Sequence, residues 1–153
     1  MLAQKTIDDV RQLLRLVVAY GTAKSANAPG YLVGGKTGTA EKNTGGIYRK
    51  DAKVASFVGV FPINNPRYAI LVMVDEPKGN KSTYGFATGG WISAPVVGNV
   101  VQRMAPLIGM KPDFAPHDQS IEAMWTASGH GDEVEKHRML AAREKAGVRA
   151  ASY

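Results

Sequence analysis

The residues best suited to chemistry are four consecutive ones, Lys36-Thr37-Gly38-Thr39. They combine a cation, two hydroxyl groups and a glycine that lets a ligand approach the backbone closely. An apolar, β-prone run and two further glycines precede them, which predicts that they lie on a strand. A lysine at a strand edge can hold a carboxylate or orient a neighbouring hydroxyl. Because side chains alternate along a strand, both threonine hydroxyls are expected on the face opposite Gly38.

The same stretch also satisfies a phosphate-binding pattern. Residues 30–37 match G-x-x-x-x-G-K-[ST], in which backbone N–H groups and the lysine hold the phosphates of a nucleotide. That site needs a strand before Gly30 and a helix that begins at Lys36. A polar run precedes Gly30, however, and glycines follow Thr37, which disfavours a helix there. An NTPase is therefore a further alternative, which parallel strands or a helix at Lys36 would favour.

The elements that must position this stretch indicate an α+β fold, an antiparallel sheet flanked by helices. Helical spacing of apolar residues predicts an amphipathic helix over 7–20, followed by a polar loop over 22–30. Strands are predicted at 31–37, 53–61 and 67–75. The last two are joined too closely for a crossover helix, so they should pair as a hairpin. Both are nearly continuous apolar runs, so we expect cover on both faces of the sheet.

Local signals predict where the elements begin and end. A second helix should follow the third strand, and two helices offer less cover than the apolar strands need. The specific predictions are a capping box from Thr6 to Asp9, loops at 41–52 and 77–90, a helix N-cap at Ser93 or a nearby residue with Pro95 in the first turn, and a kink or end of that helix at Pro106.

The composition changes after Pro112, which divides the chain into 1–112 and a polar tail at 113–153. We interpret the tail as a linker followed by a marginal helix, partly disordered, because it has little apolar surface to bury. Removal of the residues from about Pro116 to Tyr153 should therefore leave folding nearly unchanged. The three histidines of the chain all lie in this tail, without the spacing of a metal site: His117, His130 and His137.

Composition limits the classes of function. The chain of 153 residues contains no cysteine, which excludes disulfides and thiolate metal sites. Its net charge of +6 comes from lysines and arginines scattered over loops and element ends, so nucleic-acid binding is not predicted. No apolar run reaches the ~18 residues that a membrane-spanning helix needs. The polar sequence after Met1 does not resemble a signal peptide.

The Lys-Thr-Gly sequence resembles the motif of that composition in penicillin-binding proteins. Later segments extend the resemblance in the same order, to the last third of a class B penicillin-binding protein and most closely to the division-specific type. It covers about residues 3–113 and implies the carboxy-terminal part of a serine transpeptidase, or β-lactamase-like, domain. The supporting segments are 54–62, 65–68, 74–78 and 89–96.

The resemblance implies a role for each residue of the motif in a peptidoglycan D,D-transpeptidase. Lys36 and the hydroxyls of Thr37 and Thr39 would bind the carboxylate of a stem peptide or of a β-lactam, and Gly38 would let the substrate lie against the strand. The backbone N–H of Thr39 would form half of the oxyanion hole, and one such donor contributes on the order of 10²–10³ in rate. No metal or organic cofactor is implied.

The nucleophile that the resemblance requires is not found in this sequence. The family's serine lies in S-x-x-K, and no serine here is followed by lysine at the third position. The S-x-N match at Ser25-Ala26-Asn27 follows the 7–20 helix, whereas the family's motif precedes it, so we interpret the match as chance. We therefore expect a fragment that is inactive alone. The alternative is a non-catalytic binding module that lost its nucleophile.

The resemblance also implies partners and a location. The partners would be the peptidoglycan stem peptide, β-lactams, the amino-terminal part of the transpeptidase domain and membrane proteins of the division complex. Joined to the full-length family protein, the chain would work at the periplasmic face of the bacterial inner membrane. The sequence leaves open whether Met1 is a native start and whether the protein serves division or elongation.

Overall fold

The computed structural model describes residues 2–150, and the side chains of all of these except 44, 49–51, 124 and 144–150. It confirms the α+β class. The helices and strands are α1 (Gln4–Ala19), β1 (Gly34–Thr44), β2 (Ile47–Phe61), β3 (Tyr68–Asp75), α2 (Gly89–Leu107), α3 (Gln119–Ala127) and α4 (Gly131–Ala150). Single turns of 3-10 helix lie at Lys24–Ala26 and Lys81–Thr83. No helix within 2–150 has both the length and the apolar character needed to cross a membrane.

The strands form one sheet in the order β1-β2-β3, and both pairings are antiparallel. The predicted meander is therefore confirmed. Lys36 is part of β1 and does not begin a helix, so the nucleotide-binding alternative is wrong. The first strand starts at Gly34 rather than at residue 31, and Lys36 consequently lies near its beginning and not near its end.

The loop predicted at 41–52 is wrong, because β1 and β2 continue through it as a hairpin. Gly45 and Gly46 form its two-residue turn, with φ angles of 63° and 86°. Such positive angles suit the tight turns that join two twisted strands, and glycine adopts them without strain. Asn43 Oδ1 accepts a hydrogen bond of 2.9 Å from the N–H of Gly46, which holds the turn.

One face of the sheet is covered by α1 and α2. Phe57 and Phe61 of β2 are fully buried there, together with Val97 and Val101 of α2. A Cβ atom placed on Gly59 of β2 would lie 2.6 Å from Val97 Cγ1. The close approach of α2 to the strand therefore depends on the missing side chain, since interiors are packed to crystal-like density.

The opposite face of the sheet is open. Val58 of β2 and Leu71 and Met73 of β3 are 45%, 58% and 62% exposed. The register pairs Val58 with Leu71 and Ser56 with Met73, so these residues share one face. The expectation of cover on both faces is wrong for the described chain, because both helices pack against the Phe57 side. The expected excess of apolar surface is confirmed.

The two main helices begin earlier than predicted. The N-cap of α1 is Ala3, with no side-chain hydrogen bond, so the capping box at Thr6 is wrong. Lys5 and Asp9 form an ion pair of 2.6 Å one turn apart, which supports the earlier start.

The N-cap of α2 is Thr88, so Ser93 and Pro95 lie inside the helix rather than at its N-terminus. The buried Ser93 hydroxyl donates a hydrogen bond of 3.0 Å to the carbonyl of Ala55. This interior role explains why a residue typical of N-caps does not mark the helix start. The helix ends at Leu107, one residue beyond the predicted Pro106.

The tail packs against α1. Our interpretation of its first part as a linker is wrong, because those residues include α3. Ile121 of α3 and Val134 of α4 are buried against Ala19 and Tyr20. The division of the chain at residue 112 and the dispensability of the tail stay predictions.

A buried arginine connects the tail to the entry of β1. Arg15 of α1 is only 7% exposed. Its guanidinium donates to both carboxylate oxygens of Asp118 at 2.8–3.1 Å. The same group donates to Asn27 Oδ1 at 3.0 Å and to the carbonyl of Val33 at 2.9 Å. Three parts of the chain, α1, the loop before β1 and the tail, therefore meet at one side chain, just before the strand that carries Lys36.

Candidate functional site

Lys36, Thr37, Gly38 and Thr39 lie side by side on β1, which is an outer strand of the described sheet. Lys36 and Thr39 are exposed, and the two residues between them are half-buried. The structure therefore presents every residue of the predicted site at one free strand edge.

The free edge of β1 presents the backbone of the motif's threonines. The N–H of Glu76 donates 2.8 Å to the carbonyl of Lys53, so the backbone of Lys53 faces β3. Successive residues of an antiparallel strand direct their N–H and C=O groups to opposite sides. The N–H and C=O of Ser56 therefore point to β1, where Ser56 pairs with Gly38. The residues on either side of Gly38 must then face outward. The N–H of Thr39 accordingly points out of the sheet, available to a ligand.

Lys36 contributes an ammonium group at this edge. Its Nζ donates to the outward carbonyl of Thr37 at 2.9 Å. Among the described residues no carboxylate pairs with Lys36. Lys42, on the same strand, instead bridges Asp75 and Glu76 at 3.0 Å each. Hydrogen bonds with these carboxylates raise the pKa of Lys42. β1 thus carries one neutralised lysine and one that can attract an anion.

Both threonine hydroxyls of the motif lie towards α2, on the face opposite Gly38 as predicted. Thr39 Oγ1 accepts a hydrogen bond of 3.1 Å from the N–H of Gly89. Thr37 Oγ1 lies 3.2 Å from Thr22 Oγ1, and either hydroxyl can be the donor. The Cβ position of Gly38 lies 2.5 Å from Ser56 Oγ, so a side chain there would displace its strand neighbour.

The first turn of α2 lies directly against the motif. A Cβ at Gly89 would lie 2.2 Å from the carbonyl oxygen of Ser56 and 2.6 Å from that of Gly38. A Cβ at Gly90 would lie 2.2 Å from the carbonyl oxygen of Thr22. No side chain fits at either position. Our sequence reasoning missed Thr22, Gly89 and Gly90, and the only signal for them was an adjacent pair of glycines at a helix start.

The loop between α1 and β1 is anchored on both sides. Ser25 Oγ donates to the carbonyl of Gly90 at 2.9 Å, and Asn27 accepts from Arg15. The residues of the S-x-N match therefore hold this loop to α2 and to α1. Their contacts account for both side chains without a role in chemistry.

An exposed aromatic cluster borders the start of α2. The rings of Phe86 and Trp91 stack with centroids 5.8 Å apart, and Tyr84 meets Trp91 edge-on at 5.6 Å. All three are exposed. Because Trp91 follows Gly89 by two residues, this apolar surface lies next to the turn that contacts the motif.

A cleft of about 440 Å³ lies elsewhere, between the loop before β1 and the tail. Its charged groups already have partners. Arg138 donates to Glu122 at 2.7 Å, and His117 lies 2.7 Å from Asp113. The N–H of Ala115 and the imidazole of His117 hold the pKa of Asp113 below its ordinary value. The charges that line the cleft are therefore satisfied by each other, and the cleft takes no part in the site on β1.

Comparisons with known proteins identify the family. The sequence pattern described as the penicillin binding protein transpeptidase domain matches residues 2–102. The chain belongs to this family. It is 42% identical over 120 residues to the probable peptidoglycan D,D-transpeptidase FtsI of Caulobacter vibrioides, and the match covers 72% of this chain and 20% of that protein. It is 41% identical over 112 residues to the stage V sporulation protein D of Bacillus subtilis, 73% of this chain and 17% of that protein.

Solved structures of penicillin-binding proteins show the same fold. The transpeptidase domain of penicillin-binding protein 3 from Burkholderia pseudomallei matches with a TM-score of 0.58 and 42% identity, over 68% of this chain and 30% of that one. Penicillin-binding protein 3 from Mycobacterium tuberculosis, complexed with ampicillin, matches with a TM-score of 0.61 and 32% identity, over 71% and 25%. The chain thus covers part of a transpeptidase domain and about a fifth of its curated relatives' length.

Proposed function

We propose that this chain is the carboxy-terminal part of a penicillin-binding peptidoglycan D,D-transpeptidase that cross-links the cell wall at division. In this proposal β1 supplies the carboxylate-binding edge and half of the oxyanion hole. The observation that carries the proposal is the free strand edge that presents the outward N–H of Thr39 and the ammonium of Lys36, which no carboxylate of the described residues neutralises. The names of the relatives supply the reaction.

The substrate would add to the outer edge of β1 as a further extended strand. The residues on either side of Gly38 direct their N–H and C=O groups outward, so a peptide can form main-chain hydrogen bonds there. A β-lactam, which the ampicillin complex of the tuberculosis protein shows bound to that relative, would occupy the same edge. The exposed rings of Phe86 and Trp91 would border the bound molecule.

The ligand's carboxylate would meet three donors. Lys36 provides the charge, and a hydrogen bond between charged groups is stronger than one between neutral groups. The N–H of Gly89 donates to Thr39 Oγ1 and uses one of its lone pairs. Because a hydroxyl has a single hydrogen and two lone pairs, the hydrogen of Thr39 stays available to the carboxylate. The hydroxyl of Thr37 would act in the same way.

The chemistry would be acyl transfer. A serine attacks the penultimate D-alanine carbonyl of the stem peptide, and negative charge develops on the carbonyl oxygen. The outward N–H of Thr39 would stabilise that oxygen, and removing one donor of this kind costs on the order of 10²–10³ in rate. D-Alanine then leaves, and an amine of a neighbouring strand resolves the acyl-enzyme. A penicillin would acylate the same serine.

The attacking serine would come from the amino-terminal part of the transpeptidase domain, because no serine of this chain is followed by lysine at the third position. That part would dock on the open face of the sheet, where Val58, Leu71 and Met73 are exposed. Contiguous apolar surface of this kind marks an interaction site. The assembled enzyme would act at the periplasmic face of the bacterial inner membrane.

Intact-mass measurement after incubation with a penicillin tests this proposal. The chain alone should gain no adduct, and the chain mixed with the amino-terminal part of the domain should yield an acylated serine on that part. An adduct on the chain alone would contradict the proposal and direct attention to Ser25. A folded mixture that is never acylated would favour the second candidate, a non-catalytic binding module. That candidate is supported by the same observation, that no serine of this chain lies in an S-x-x-K sequence.

A further inference from the structure

The loop between α1 and β1 places the hydroxyl of Thr22 against the hydroxyl of Thr37 in the motif. Thr22 is exposed, and its Oγ1 lies 3.2 Å from Thr37 Oγ1. We propose that Thr22 is a positioning residue for carboxylate binding, which donates its hydrogen to Thr37 and so directs the hydrogen of Thr37 to the ligand. This inference rests on the proposed function, because it needs a carboxylate at the edge of β1.

The direction of the hydrogen bond follows from counting donors. Each hydroxyl has one hydrogen and two lone pairs. If Thr37 donated to Thr22, only lone pairs would face the ligand, and they would repel a carboxylate. A carboxylate is a stronger acceptor than a neutral hydroxyl, so the hydrogen of Thr37 turns to it when it binds. Thr22 then becomes the donor, and the chain of hydrogen bonds polarises each member.

Thr22 has a fixed position from which to do this. The backbone of Gly90 lies so close to the Thr22 carbonyl oxygen that a Cβ would approach it to 2.2 Å. Ser25, in the same loop, donates 2.9 Å to the carbonyl of Gly90. The N–H of Ala23, the residue after Thr22, donates 3.1 Å to the carbonyl of Val17. The loop is thus fastened to α2 at Thr22 and Ser25 and to α1 at Ala23.

The arrangement at Thr37 parallels that at Thr39. The hydroxyl of Thr39 accepts from a backbone N–H, that of Gly89, which can only donate. The hydroxyl of Thr37 is hydrogen-bonded to a side-chain hydroxyl, that of Thr22, which can donate or accept. With Thr22 as the donor, both hydroxyls of the motif would accept a hydrogen bond and keep their own hydrogen for the ligand. Only the donor behind Thr37 can be removed by substitution.

The test uses the domain assembled from this chain and the amino-terminal part. We compare the second-order acylation rate constant for a penicillin with that for its methyl ester, which has no carboxylate. Thr22→Val should lower the rate constant for the penicillin about two- to tenfold, the loss expected for one neutral hydrogen bond. The rate constant for the ester should not change. Thr22→Ser retains the hydroxyl and should restore the wild-type rate.

Controls separate positioning from folding. Thr6→Val, at an exposed threonine of α1, should change neither rate constant. If Thr22→Val does not assemble, Thr22→Ala removes the same hydroxyl and is judged by the same criteria. Equal losses for the penicillin and the ester, no loss at all, or no rescue by Ser would overturn the inference alone. A wild-type assembly that is not acylated would overturn the proposed function, and the inference with it.

Discussion

Phe57 and Val58 are neighbours on β2, yet one is fully buried and the other is 45% exposed. The difference belongs to the two faces of the sheet. The Phe57 face packs against α1 and α2, whereas Val58, Leu71 and Met73 on the other face are exposed in the described part of the chain. Apolar character is similar on both faces, so composition did not decide which was covered. The positions of α1 and α2 decided which face is covered. Lys36 pairs with Val58, so its side chain lies on the open face.

The largest expected effect is a difference in stability between the two faces. Phe57→Ala should lower the free energy of unfolding of the chain by about 3–5 kcal/mol, because it leaves a cavity under α2. Leu71→Ala, on the open face, should change it by no more than ~0.5 kcal/mol. Urea denaturation of the chain measures both. Similar losses would mean that the Val58 face is also buried in solution.

The tail packs on α1, the helix that covers the Phe57 face, and the Arg15–Asp118 ion pair joins the two. Arg15→Ala should lower the free energy of unfolding by about 3 kcal/mol, because Asp118 would keep a largely buried charge without its partner. Lys5→Ala, on the same helix, breaks an exposed pair and should leave the denaturation midpoint unchanged. A chain truncated after residue 115 tests the predicted dispensability of the tail in the same assay. If Arg15→Ala were as mild as Lys5→Ala, the tail would not be docked on α1.

The open face should control association. Leu71→Lys combined with Met73→Lys should reduce self-association of the chain in sedimentation velocity and prevent acylation of the mixture with the amino-terminal part, since lysines oppose apolar docking. The control is Leu107→Lys at the end of α2, an exposed leucine away from the sheet. Unchanged association and acylation in the double variant would place the docking surface elsewhere.

The smallest expected effect is a pH dependence of tail docking. Burial, and next the carboxylate of Glu122, raise the pKa of Tyr20 above its ordinary value of 10.0. The folded state therefore favours the protonated phenol, and this contribution is complete below pH 10.0 and is lost as the pH rises beyond it. Fluorescence of Trp125, 5.8 Å from the Tyr20 ring, should report the loss in a Trp91→Phe background. Tyr20→Phe should remove this alkaline step, and its persistence would contradict the assignment.

The strands were predictable from sequence because local apolar runs and a short connection specify an antiparallel hairpin. The turn at Gly45 and Gly46 was not recognised, because glycines and charges suit a long loop as well as a tight turn. The start of α2 was missed for a related reason: Gly89 and Gly90 are poor helix formers, and their close contacts with the backbones of Ser56, Gly38 and Thr22 are what explains them.

Long-range polar contacts were out of reach of sequence reasoning. Arg15 interrupts an apolar stretch of α1, and its partner Asp118 lies 103 residues away. Thr22 was part of a predicted polar loop, and nothing in that loop indicated a contact with the motif. The sparse apolar residues of the tail, Ile121 and Val134, are buried because α1 offers them a matching surface.

The most direct test of the central claim compares two lysines of β1. We measure the second-order rate constant for acylation by a penicillin of the domain assembled from this chain and the amino-terminal part. Lys36→Ala should lower it about ten- to a hundredfold, because a hydrogen bond to a charged group contributes about 1.5–3 kcal/mol. Lys42→Ala, which removes a lysine already paired with Asp75 and Glu76, should leave it within a factor of about two. Equal rate constants for the two variants would contradict the claim that the free edge of β1 holds the ligand's carboxylate.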